Sequence, residues 1–403
     1  MPTGTGSTPT IAILGGGIGG LAAAAFLRRS GLSATVYEQA PQLTEVGAGL
    51  VVAPNAVRLL RRLGVFEQFQ RDAVRLDVGW EFRRWQDGTV LSAEDLASSC
   101  EALYGEHTYT THRADLLAVI RSAVPESAIQ LGRRAVAIGT DPLSPVVEFA
   151  DGEVIRPDVL IGADGIHSLV RRTFVETSPA TYSGMCAYRA LVPAAEAPDF
   201  TRRPAQTLWL GPDHHLVHYP VSGGRYVNLV AFGPAGGFAT ESWTATATVE
   251  ELLAEFAGWD PRLIDLISAS ATPGRWALLD RAPLDRWSFG NVTMLGDAAH
   301  PMFPFFAQGA AQAIEDAAVL ARCLAEDPND SEAALQRYET IRRPRTDQVQ
   351  QRSHGRALIN HLPDGPEQQA RDVAFREADP LIANGWIYSY DPDDAAAGVP
   401  VLK

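Results

Sequence analysis

The chain has 403 residues, a formal net charge of −14, 46% hydrophobic and 20% charged residues. That balance belongs to a folded globular protein with room for two domains, not to a disordered chain, and its negative field argues against nucleic acid as a partner. Cys100, Cys186 and Cys323 are odd in number, widely spaced and free of any CxxC pattern. This argues against a disulfide scaffold or a zinc site and points to a reducing cytoplasm.

Met1 to Pro9 reads as a mobile Thr/Gly/Ser tail. Thr10 to Leu14 predicts a short buried strand, Ile18 to Ser30 an Ala-rich helix, and Ser33 to Glu38 the second strand of a βαβ unit. The apolar run Ile11 to Leu27 is studded with glycine and has no basic segment before it, which argues against a signal peptide or membrane span. Pro54-Asn55 with Val57, Leu59, Leu60 and Leu63 predicts a capped amphipathic helix ending at Gly64. Alternation from Val78 to Trp85, a turn at Asp87-Gly88 and the stretch Thr89 to Leu91 predict a hairpin that interrupts the first domain. A helix over Arg113 to Val124 and a hairpin over Val146 to Ile155, turning at Asp151-Gly152, come next. Val159 to Ala163 is a continuous apolar strand, as in a buried parallel sheet. From Tyr182 to Trp276 the texture turns β-rich (Thr207 to Leu210, His215 to Val221, Tyr226 to Phe232), with one helix from Val249 to Ala257. Nucleotide-binding texture returns at Val292 to Asp297, before helices at Gln308 to Leu324 and Leu335 to Ser353 and a peripheral stretch beyond Asp391.

Gly15, Gly17 and Gly20 form a GxGxxG turn between the first strand and helix. Gly15 permits the tight turn, Gly17 the approach of a pyrophosphate, and Gly20 close packing of helix on strand, while the helix N-terminus offers N–H groups and a positive dipole end to phosphate. Glu38, at the end of the second strand, has the place of a carboxylate that accepts from ribose hydroxyls and repels a 2′-phosphate. The site therefore calls for an adenine dinucleotide other than NADP. A second GxGxxG is absent from the sequence, which disfavours separate FAD and NAD domains.

Further segments narrow the choice: Gly47-Ala-Gly49 with Pro54-Asn55-Ala56, His112-Arg113-Ala-Asp-Leu116, Asp158 to Arg171 with Asp164-Gly165, Gly296-Asp297 to Pro301, Ala307 to Ala310, Ile314 to Asp316, Tyr338 to Arg345, and Trp386 to Asp391. On these, nearly the whole chain resembles the single-component flavoprotein aromatic hydroxylases, the group that includes p-hydroxybenzoate hydroxylase, and is most similar to the salicylate and 3-hydroxybenzoate hydroxylase branch. The resemblance implies an α/β fold: a Rossmann-like, GR2-type FAD-binding domain with an inserted β-sheet substrate domain. Its expected boundaries are 1-72, 98-180 and 276-360 for the FAD domain, 73-97 and 181-275 for the substrate domain, and 361-403 for a C-terminal helix and tail. It implies FAD as cofactor, with Gly15, Gly17, Gly20, Glu38, Gly49, Arg113, Asp164, Gly296, Asp297 and Gly309 around it. NAD(P)H, with NADH preferred, and dioxygen are the co-substrates, and the reaction implied is hydroxylation of an electron-rich ring through a flavin hydroperoxide. A soluble cytoplasmic monomer or homodimer that binds neither membrane nor metal is expected.

On the strand from Asp213 to Pro220, alternation places His215, Val217 and Tyr219 on one face. This His-x-x-x-Tyr pair resembles the ring-hydroxyl contacts of the branch, so His215 and Tyr219 are the candidate catalytic residues. Tyr104, His107 and Tyr109 are candidates to line the pocket, and Arg189 is a candidate for a substrate carboxylate or for a packing role. His300 reads as a structural turn histidine. Where several relatives carry His or Gln, this chain has Pro304-Phe305-Phe306, so an acid/base residue is missing on the Phe305 side of the pocket; this either shifts the task to His215 or signals a more apolar substrate than a hydroxybenzoate. Two other readings are a flavin-dependent halogenase, whose Trp-x-Trp-x-Ile-Pro segment is absent, and a non-catalytic FAD-fold binding protein.

Overall fold

The computed structural model describes residues 9–43, 48–175, 180–236 and 245–396. Gly47 and almost all of the Met1 to Pro9 tail lie outside them. Five parallel strands, in the order Val292–Met294, Val159–Gly162, Ile11–Leu14, Ala34–Tyr37 and Ile129–Gln130, form the first sheet. The first three of these are buried throughout, as strands covered on both faces must be. Leu14 is in register with Gly162, and Gly162 with Met294. The glycine turns that follow these three strands therefore emerge side by side at the carboxyl end of one sheet, where open α/β folds bind ligands.

A second sheet of seven strands runs Gly274–Asp280, Thr181–Pro193, Tyr226–Pro234, His214–Val221, Ala205–Gly211, Val78–Arg84 and Val90–Asp95. The early hairpin thus supplies two strands to a sheet built mostly from residues far later in the chain, joined by the parallel pair Ala205–Gly211 and Val78–Arg84. The strand Gly274–Asp280 pairs with Thr181–Pro193 and carries this sheet past the expected boundary at 275. Val74–Arg75 instead joins Gly49–Val52 and Tyr109–His112 in a small separate sheet.

Helix Ile18–Arg29 buries its alanines against helix Gly309–Glu326, and a Cβ on Gly19 would meet Ala313 Cβ at 3.2 Å. Helix Pro54–Leu63 begins with proline and ends at Gly64, whose φ of 78° closes it in the left-handed region. The last long helix, Ser331–Asn360, starts earlier and ends later than its apolar periodicity suggests. Asp330 caps it by accepting from Ala333 N–H (3.0 Å), and its final turns are solvated, with Leu358 75% exposed. Helices Leu96–Tyr104 and Pro261–Ser268 are short and were not expected from the sequence, while Pro366–Glu377 lies in the stretch expected to hold a C-terminal helix.

Candidate active site

Gly15 has φ 108°, and a Cβ there would lie 2.2 Å from Ala163 O; one on Gly20 would lie 2.0 Å from Gly15 O. Both positions admit only glycine. Gly17 faces open space at the start of helix Ile18–Arg29, whose first turn has no side-chain cap and no acidic residue. Helix Gly309–Glu326 starts in the same uncapped way. Two helix N-termini with unanswered N–H groups thus lie next to one another, each suited to negative charge.

Carboxylates ring this space. Glu38 accepts from Gly16 N–H (2.6 Å) and Ala40 N–H (2.8 Å), keeping further lone pairs for hydroxyl donors. Asp164 accepts from Leu169 N–H (2.7 Å) through one oxygen, while its other oxygen is buried without a partner, and burial raises its pKa. Asp297 is exposed on the turn Gly296–Ala298, and its carboxylate has no hydrogen bond among the described residues. Arg171 fixes that turn by donating to Asp297 O (2.8 Å) and Ala298 O (2.7 Å). Arg113 opens helix Arg113–Arg121 and donates its backbone N–H to Ala48 O (2.8 Å). An orphaned acceptor, a free carboxylate and two open helix starts fit a group with phosphates, hydroxyls and a polar ring system, which is the chemistry of FAD.

Beneath the second helix start lies a buried ionic network. Arg342 donates to Glu315 (2.6 Å) and Asp316 (2.8 Å), and Arg345 to Glu315 (3.2 Å). Asn55 donates to Glu315 (2.6 Å) and Gln308 (3.0 Å), tying helix Pro54–Leu63 to the same point. His300 Nε2 sits 2.6 Å from Asp316, which also accepts from Gly296 N–H (3.0 Å). Burial opposes the Asp316 charge, but His300 and Arg342 outweigh it and pull the pKa down to about 2. His300 is thus engaged in holding the Gly296 turn.

Gly49 packs closely against the substrate-side residues. Its N–H donates to Asn228 Oδ1 (2.8 Å), and a Cβ would lie 2.5 Å from Asn228 Cγ and 2.6 Å from Tyr219 Cε2. It is a close approach between the small three-stranded sheet and the seven-stranded sheet, beside the candidate substrate residues. Asn228 had no signal in the sequence, since an amide on a β-rich strand reads as ordinary.

His215 and Tyr219 share a face with Val217, as alternation predicts, among Phe232, Phe303, Phe305 and Phe306. His215 stacks on Phe232 (4.5 Å between centroids) and meets Phe305 edge-on (5.3 Å). Burial, then the nearby His361, pushes its pKa well below normal, and its Nδ1 lies 2.6 Å from His361 Nε2. Burial raises the Tyr219 pKa, Arg189 opposes that rise, and the hydroxyl has no hydrogen-bond partner among the described residues. Arg189 is half-buried over Trp276 (5.1 Å), its Nε is unpartnered, and it forms no ion pair with a carboxylate among the described residues. Burial, then Arg113, lowers its pKa.

Three expected pocket residues are used otherwise. Tyr104 donates its hydroxyl to Leu381 O (2.8 Å), because its helix ends at Gly105 facing the C-terminal segment. His107 Nδ1 accepts from Thr108 N–H (2.9 Å). Tyr109 packs edge-on against Phe66 (5.9 Å) and Phe69 (5.6 Å) in the first domain's core and accepts from Gln70 (3.1 Å). Tyr104 still packs against the apolar cluster that contains Tyr219 and Phe305, whereas Tyr109 belongs to the first domain's core.

Among the described residues no group of His, Cys, Asp and Glu could hold a metal ion, and no helix is long and apolar enough to cross a membrane. A sequence profile of the FAD binding domain matches residues 7–353. The chain is 39% identical to 3-amino-4-hydroxybenzoate 2-monooxygenase of Streptomyces cremeus over 396 residues, covering 97% of this chain and 96% of that protein. It is 36% identical to 6-hydroxynicotinate 3-monooxygenase of Bordetella bronchiseptica over 361 residues, covering 88% and 94%. Among solved structures, a salicylate hydroxylase substrate complex superposes with a TM-score of 0.83 at 27% identity, covering 98% of this chain and 99% of that one.

Proposed function

Because the chain belongs to the family of FAD-dependent aromatic monooxygenases, we propose that it hydroxylates a small aromatic acid that carries a ring hydroxyl or an equivalent donor. FAD, reduced by a nicotinamide, supplies the activation of dioxygen when bound. In this reading Gly15, Gly17 and Gly20 with the first helix start take the pyrophosphate, and Glu38 takes the adenosine ribose. Arg113, Asp164 and Asp297 serve the pyrophosphate and ribityl region, while Gly296 and Gly309 bring backbone to the ring.

The observation that carries the substrate class is Arg189. A half-buried guanidinium with an orphaned Nε, close enough to Tyr219 to oppose the rise in its pKa, is a receptor for an anion that the protein does not provide. The relatives named above act on an aminohydroxybenzoate and a hydroxynicotinate, which are carboxylates. Tyr219 and His215 are then placed to hold the ring hydroxyl, and a neutral imidazole accepts its proton and makes the ring electron-rich. Phe232, Phe303 and Phe305 exclude water from the ring's other edge. Gly49 and Asn228 position Tyr219 rather than the cofactor.

The test is a panel of hydroxybenzoates, aminohydroxybenzoates and hydroxynicotinates beside their decarboxylated phenols, reading NADH oxidation and product mass together. The acids should stimulate NADH oxidation and gain one oxygen atom, and the phenols should be poor substrates. Equal turnover of acids and phenols would remove Arg189 from the account. NADH is the proposed reductant, tested by its kcat/KM against that of NADPH.

A further inference from the structure

His215 has a partner whose position no catalytic requirement of the fold explains. The helix Ser331–Asn360 runs on past the ionic network and ends at His361, where Asp213 N–H donates to the His361 carbonyl (3.1 Å) and pins it beside the strand His214–Val221. There His361 Nε2 lies 2.6 Å from His215 Nδ1, with the rings 4.8 Å apart. The second ring nitrogen of each histidine has no hydrogen-bond partner among the described residues. His215 is buried, while His361 is half-buried and reaches solvent. The pair therefore forms a line: pocket, His215 Nε2, His215 Nδ1, His361 Nε2, His361 Nδ1, water.

We propose that His361 relays to solvent the proton that the substrate's ring hydroxyl gives to His215, and returns it when product forms. The inference rests on the phenolic-acid reading above. The substrate O–H bond breaks as an N–H bond forms at His215 Nε2. The His215 Nδ1–H bond breaks as one forms at His361 Nε2, and the His361 Nδ1 proton passes to water. The reverse movement reprotonates the product and restores both tautomers, so no net proton is left on either ring.

Physical chemistry favours passage over storage. A proton held on His215 would make an imidazolium between Phe232 and Phe305, where desolvation already pushes its pKa well below normal. His361 is lowered to about 4 by burial and by His214, so it too transmits rather than holds charge. His214 is the one other titratable group that shifts either ring, and it is itself 2.9 Å from Glu255. Passing the proton to water leaves two neutral imidazoles and a phenolate, with the substrate carboxylate still paired with Arg189.

The test mixes FAD-loaded enzyme with 3-hydroxybenzoate in weak buffer containing phenol red and follows proton release by stopped flow. Wild type should release a proton on binding. His361→Gln, which still accepts a hydrogen bond from His215 Nδ1 but passes no proton, should slow release by about 10²-fold, the lower end of what positioned proton transfer contributes. Its equilibrium affinity should stay within about twofold, and added imidazole should restore the rate to His361→Gly. If His361→Gln binds the ligand and releases its proton at the wild-type rate, the relay is wrong while the substrate reading stands. Binding by wild type with no proton release also overturns the relay. If the FAD-loaded wild type binds none of the aromatic acids, the substrate reading fails and the relay falls with it.

Discussion

A half-buried guanidinium whose Nε is kept from water without a partner is costly, and at Arg189 that cost has a use when a ligand brings the anion. Arg189→Met should lower kcat/KM for the hydroxy acid by about 10- to 100-fold, the range of a hydrogen bond to a charged group, and leave the corresponding phenol nearly unchanged. Steady-state kinetics on the pair decides it, since a packing role would depress both equally. The contrast with Tyr104 shows what residue type alone conveys. Tyr104 and Tyr219 are both tyrosines in polar-aromatic surroundings, but one donates to Leu381 O and the other has no hydrogen-bond partner among the described residues. Alternation along one strand identified His215 and Tyr219, because period-two placement is a local property. Asn228 and His361 reach the same place through pairings between distant segments, and nothing local marks them.

At the scale of elements, the cofactor side rests on turns that admit only glycine. Gly20→Ala would put a methyl 2.0 Å from Gly15 O and push the first helix off its strand. The purified variant should carry much less FAD per protein than wild type, measured by absorbance; full occupancy would show that the turn tolerates the shift. The helices Gly309–Glu326 and Ser331–Asn360 are joined by Arg342, which is fully buried between Glu315 and Asp316. Arg342→Met strips the countercharge from both carboxylates and should cost about 3–5 kcal/mol, seen as a lowered denaturation midpoint. The sequence revealed these helices by their periodicity, and the motifs Ile314 to Asp316 and Tyr338 to Arg345 by resemblance. It did not reveal that the two motifs are one ionic cluster, because charge pairing across helices is set by packing.

Across the whole molecule, four strands of the parallel sheet and its three glycine turns were legible because each of those strands carries its own signal in an apolar run, while the two-residue strand Ile129–Gln130 carries none. The second sheet was legible as texture only. Its strands Val78–Arg84 and Val90–Asp95, the last two at one side, join it from another part of the chain, and no local pattern states a pairing partner. That edge carries a consequence for stability. Glu94, on the outermost strand, is fully buried and accepts from Asn384 (2.6 Å) and Tyr388 (3.1 Å) of the C-terminal segment. Burial raises its pKa from 4.5 to about 7, although these hydrogen bonds oppose the shift. A carboxyl with a raised folded pKa stabilises fully below its unfolded pKa, and that stabilisation is lost as pH rises through the folded value. Wild type should therefore lose thermal stability between about pH 5 and pH 8, and Glu94→Gln should flatten that slope. Parallel slopes in the two proteins would remove Glu94 as the cause.

The central claim is that bound FAD and a hydroxylated aromatic acid meet between the two sheets. Stopped-flow reduction of the enzyme-bound flavin by NADH, with and without 3-hydroxybenzoate or 3-amino-4-hydroxybenzoate, tests it most directly. The account predicts a yellow protein whose flavin is reduced at least about 10-fold faster with an aromatic acid bound, followed by a product heavier by one oxygen atom. A flavin reduced at one rate whatever aromatic is present, with no oxygenated product, would contradict it.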